Sequence, residues 1–133
     1  MLDIFKTFAT DGKKEQEGVW VEIGQGASLL VARSTNRRFL KATEAEVREH
    51  KEALDKEGDE AEKVQEEILA RTFAEGLLLG WKGIAWKGQA DVPYSKELAI
   101  EMLRLPDFRK LVARIADDRE NFLAAAEEEI AKN

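Results

Sequence analysis

The chain has 133 residues, with 21 Lys/Arg against 27 Asp/Glu and a formal net charge of −6. That length predicts one domain and excludes both a two-domain dinucleotide-binding enzyme and a TIM barrel, which needs about 250 residues. The absence of cysteine excludes a disulfide scaffold, a thiolate zinc site and a cysteine nucleophile.

Hydrophobic residues make up 44% and charged residues 36% of the chain, so a core surrounded by helices with solvated faces is expected. No apolar run reaches the ~20 residues that cross a bilayer, and no basic-then-apolar leader opens the chain. The expectation is a soluble cytoplasmic protein with no membrane partner. Charge is uneven. Residues 42–70 hold four Lys/Arg against eleven Asp/Glu, a net −7, whereas residues 1–41 hold seven against five, a net +2. An acidic chain has no general attraction for phosphate backbones, so a nucleic-acid partner is not expected. The basic cluster Arg33, Arg37, Arg38 and Lys41 reads as a solvated strand end and loop.

In chain order, residues 2–8 are apolar and are followed by the turn signal Thr10-Asp11-Gly12. Residues 13–17 read as a polar loop, so residues 1–16 are expected to form a flexible arm. Residues 17–33 read as a β-hairpin: two β-branched and aromatic runs flank the corner Gly24-Gln25-Gly26. An isolated hairpin is marginal and needs a third strand, a helix or another subunit to cover it. The helical part spans residues 43–133. Thr43 and Glu46 match a capping box, which predicts a helix over 44–56 carrying Val47, His50 and Leu54. A second helix over 60–79 presents Val64, Ile68, Leu69, Phe73 and Leu77 as its apolar stripe. Residues 80–95 read as a loop broken by Gly80, Gly83, Gly88 and Pro93. Ser95 caps a helix over 96–104 that buries Leu98, Met102 and Leu103. Pro106 and Asp107 open the last helix, where Phe108, Leu111, Val112 and Ile115 recur at helical spacing. Phe122, Leu123 and Ile130 are expected to continue that stripe toward a last turn frayed by Glu127, Glu128 and Glu129. The predicted class is α+β, mainly α-helical: an N-terminal hairpin followed by four to five helices in one domain.

No catalytic, cofactor-binding or metal-ligating set stands out, so no enzyme activity and no cofactor are expected. His50 is the single histidine, and scattered carboxylates around it lack metal-ligand spacing. The Gly24–Gly26 corner has neither the phosphate-loop pattern nor the nucleophile-elbow pattern. The acidic run at 55–67 lacks the ligand order of a calcium loop. The aromatic segment is the informative one. Trp81, Trp86 and Tyr94 suit either a cap on the core or an anchor for a partner. A partner surface made by Phe73, Leu77, Trp81, Trp86 and Tyr94 is the expectation carried forward.

The order of motifs resembles the tail assembly chaperones of long, flexible-tailed bacteriophages and their prophages. Residues 17–34 (EGVWVEIGQGASLLVARS) are similar to the hairpin of that family. They are followed by residues 78–84, Gly88, Val92-Pro93-Tyr94-Ser95, the helix holding Leu98 to Leu103, and the Pro106–Arg109 step. The resemblance runs from about Gly18 to Phe122. It implies a non-enzymatic protein of the bacterial host cytoplasm, absent from the mature virion. It also implies binding to the tape measure protein, which such chaperones keep soluble, and help in recruiting tail tube subunits. Self-association is expected from the unpaired hairpin edges. The alternative readings are a structural virion protein, such as a head–tail connector or tail completion protein, and a small nucleic-acid-binding regulator using Arg33, Arg37 and Arg38.

Overall fold

Gln25 and Gly26 turn the chain between two antiparallel strands, β1 (Val19–Gly24) and β2 (Ala27–Val31), which pair from Val19–Val31 to Gly24–Ala27. Both turn residues have positive φ, +53° and +78°, as a two-residue type I′ hairpin requires. The computed structural model describes residues 1–124.

A third strand, β3 (Leu78–Lys82), pairs antiparallel with the other edge of β2, so the sheet order is β1-β2-β3. This corrects the expected loop beginning at residue 80 and the expected helix reaching residue 79. The apolar run 77–81 fits a helical stripe and a buried strand equally well at the level of periodicity. Pairing with β2 decides between them, and it gives the hairpin the third strand it needs. On the outer face, Lys82 Nζ sits 4.0 Å from the Trp20 ring centroid. The inner face presents Leu29, Val31, Leu78 and Trp81 to the helices.

Helix α1 (Ile4–Phe8) and helix α2 (Gly12–Glu17) precede the sheet. Residues 13–17 are therefore helical rather than a loop, because Asp11 caps α2 by accepting from Lys13 N at 2.9 Å. Backbone bonds from Asp11 N to Phe122 O (2.8 Å), and from Arg33 N to Glu15 O (2.9 Å), bind this segment to the rest of the chain.

After the β1–β2 hairpin comes α3 (Arg37–Glu49), with α4 (Lys51–Asp55) beyond a break at His50. The helix starts seven residues before the expected Glu44. Asn36 is the cap, accepting from Phe39 N at 3.0 Å. Thr43 lies inside the helix, where its hydroxyl donates to the Phe39 carbonyl at 3.0 Å.

Helix α5 (Asp59–Gly76) is the central element; it packs against α3, α4, α6 and β3. Helix α6 (Lys96–Leu103) is capped by Ser95, whose Oγ accepts from Leu98 N at 3.1 Å. Helix α7 (Pro106–Asp117) ends at Asp118, and a 3-10 turn over Arg119–Phe122 follows. The apolar stripe thus leaves the helix, yet Phe122 is fully buried. Ile130 and the Glu127–Glu129 run lie outside the described residues.

The core joins the inner sheet face to Ala70, Phe73 and Leu77 of α5, Met102 and Leu103 of α6, and Val112 and Ile115 of α7. The architecture is α+β and mainly helical, with five helices after the hairpin among the described residues. Among the described residues, no helix is long and apolar enough to cross a membrane.

Candidate partner-binding cleft

The segment between β3 and α6 is held by a set of local hydrogen bonds and one ring contact. Trp86 and Gln89 exchange backbone bonds of 2.9 and 3.0 Å around Lys87 and Gly88, whose φ values are +48° and +86°. Val92 N donates to Ile84 O at 2.9 Å. Trp81 Nε1 donates to Val92 O at 2.8 Å, and Tyr94 Oη donates to Leu78 O at 2.9 Å. The Trp81 and Tyr94 rings meet edge-to-face at 4.8 Å, the geometry that ring quadrupoles favour. What reads in sequence as a glycine-broken loop is therefore a small hairpin held against β3.

This clip forms one wall of an apolar cleft of about 200 Å³. Leu29 and Trp81 are its floor. Ile84 and Trp86 stand on one side, with Met102, Leu105 and Phe108 from the α6–α7 corner on the other. Leu105 is half exposed at the rim. The lining offers no ionisable side chain, so the cleft is apolar in character.

The five residues expected to form a partner surface are thus separated by depth. Phe73, Leu77 and Trp81 are buried, at 8%, 1% and 6% exposure. Trp86 and Tyr94 are partly exposed, and only Trp81 and Trp86 share the cleft. Phe73 instead packs edge-on to Phe39 at 5.7 Å. Ile84, Met102, Leu105 and Phe108 were not among the expected surface residues. The available signal was Leu105, an apolar residue stranded between two helices immediately before Pro106.

Elsewhere, Glu46, Glu49 and His50 bring ligand-type atoms within 4.8 Å of one another. His50 Nδ1 already lies 3.0 Å from the Glu46 carbonyl, and Arg71 Nε lies 3.5 Å from the Glu46 carboxylate. These contacts account for the cluster as helix-end polar packing.

The family model of the YdaY prophage protein matches residues 34–133. The chain belongs to that family. The match takes in α3 to α7 and every cleft residue except Leu29. Membership makes this a prophage protein, which is the coarser content of the resemblance to phage tail proteins. Searches of curated proteins and of solved structures found no match.

Proposed function

We propose that this prophage protein is a tail assembly chaperone. In this reading it binds the tape measure protein in the host cytoplasm, keeps that long helical chain soluble, helps recruit tail tube subunits, and is absent from the finished particle. It needs no catalysis and no cofactor. Membership of a prophage family and the shared order of motifs from the hairpin to the Pro106 step support the reading.

The observation that carries it is the open apolar cleft, where Trp86 and Leu105 reach solvent beside a rigid floor made by Trp81. A helix docks into such a groove through aliphatic and aromatic anchors spaced one turn apart. Trp81 and Trp86 serve as direct contacts in this reading, Tyr94 holds the clip in place, and Phe73 and Leu77 support the core behind it. The net charge of −6 keeps a complex with an apolar client dispersed.

The test is co-expression with the tail-length protein encoded in the same prophage. Rescue of that partner's solubility, with co-purification lost in Trp86→Ala, is the expected result. An insoluble partner, together with this chain in purified particles, would instead assign it to the virion structure as a connector or completion protein.

A further inference from the structure

A second apolar groove lies on the opposite sequence block, between α3–α4 and α5. It measures about 340 Å³ and is lined by Thr43, Val47, Leu54, Gln65, Ile68 and Leu69. Val47 and Leu69 are 44% and 39% exposed, although they face the same groove as the buried Ile68. Two exposed aliphatic side chains above an apolar floor offer the kind of seat that the aliphatic anchors of a docked helix use.

The rim has a definite sign. Glu44 is one turn from Val47 on α3, and Glu66 and Glu62 stand one and two turns from Leu69 on α5, along the same helix surface. All three are exposed and make no ion pair among the described residues. Lys51, beside the groove, is paired with Asp55 at 3.8 Å, while the exposed Arg48 and Lys63 lie one turn from Glu44 and Glu66. The whole block 42–70 carries net −7.

We infer that this groove is a docking site for a basic amphipathic helix of a partner protein, its aliphatic stripe seated between Val47 and Leu69 and its Lys/Arg flanks facing Glu44, Glu62 and Glu66. Apolar area supplies the affinity, and the acidic rim selects the sign of the flanks and speeds encounter. The inference is independent of the tail-assembly reading, since it names a surface and a ligand chemistry away from the aromatic cleft.

The test is titration of the full chain with a synthetic helix of about 18 residues that has a leucine stripe and lysine flanks. A glutamate-flanked version and a scrambled version of the same composition serve as comparison probes. The expected result is chemical-shift change confined to α3–α5, with both comparison peptides bound at least about tenfold more weakly. Val47→Asp with Leu69→Asp should abolish binding. Glu44→Gln with Glu62→Gln and Glu66→Gln should weaken it by roughly three- to tenfold and flatten its salt dependence. Because the wild-type footprint is read directly, misfolding of a variant does not blunt the test. Equal binding of the scrambled peptide, a footprint elsewhere, or no binding would overturn the inference. So would a groove variant that dissociates a homodimer while the wild type ignores the peptide, since the occupant would then be a second copy. Failure here leaves the co-expression result untouched, because no tail protein takes part.

Discussion

The side-chain amide of Asn36 donates to the carbonyl of Gly76, forty positions along the chain, at 2.8 Å, and to the carbonyl of Arg33 at 2.6 Å. Its Oδ1 simultaneously caps α3. One buried residue therefore starts α3 and closes the end of α5. Asn36→Ala is expected to destabilise the protein by about 2–3 kcal/mol: about 1 for the cap, and the rest for carbonyls left without a donor in a buried site. Denaturant unfolding measures this, and a loss below about 0.5 kcal/mol would contradict it.

Gly76 permits the crossing of α3 and α5. A Cβ there would lie 2.4 Å from the Cα of Phe39, a backbone atom that cannot swing aside. Alanine normally gains about 1 kcal/mol over glycine in a helix. Gly76→Ala should nonetheless lower the melting temperature clearly, because the two helices must separate and the Phe39–Phe73 contact opens. Gly12→Ala, where nothing lies within 4 Å, is the comparison and should leave the melting temperature nearly unchanged.

Tyr94 is the single tyrosine, so its titration can be followed without interference. Burial pushes its phenol above the ordinary value of 10.0, opposed by Arg38 and reinforced by Glu97. A raised folded pKa means the phenol contributes stability that is intact below pH 10 and is lost as pH rises through the folded value. Tyrosinate absorbance in the native protein should therefore have its midpoint above 10. Tyr94→Phe should cost about 1 kcal/mol at neutral pH through the lost bond to Leu78, and it should remove this alkaline dependence. A midpoint at or below 10 in folded protein would refute the assignment.

Glu67 and Arg104 form a two-pronged pair between α5 and α6, with distances of 3.0 and 2.8 Å. The guanidinium holds the Glu67 carboxyl below its ordinary value of 4.5. A depressed carboxylate pKa gives stability that is present above the ordinary value and lost as pH falls through the folded one. Both side chains are well exposed, 38% and 53%, so solvent screening keeps the contribution small. Glu67→Gln should change stability little at neutral pH and make the acid limb of the stability curve shallower. An unchanged acid limb in denaturation series across the carboxylate range would count against the pair.

The two cleft tryptophans should behave differently. Trp81 is buried and donates to Val92, so Trp81→Ala is expected to cost about 3–5 kcal/mol. Trp86 is partly exposed, with Lys87 Nζ 5.4 Å from its ring centroid. Trp86→Ala, alone or with Leu105→Ser, should leave the unfolding curve close to wild type while reducing capture of the tail-length protein. Equal destabilisation by both tryptophan changes would mean that the clip and the core are one unit.

Several elements were determined by sequence alone because short-range chemistry dictates them. The Gln25-Gly26 corner can hold positive φ at both positions. Ser95 and Pro106 set the starts of α6 and α7, and the spacing of Phe108, Leu111, Val112 and Ile115 marks a helix. The family match likewise rests on sequence. Tertiary structure alone decided three things. Residues 78–82 became a strand because β2 offered an open edge to an apolar run with no preference of its own. Helix α3 began at Arg37 because Asn36 found a distant acceptor in Gly76, which outcompetes a locally plausible capping box at Thr43. The aromatic surface divided into buried Phe73, Leu77 and Trp81 and partly exposed Trp86 and Tyr94, because depth depends on what packs above a side chain. Local spacing carries no record of those long-range neighbours.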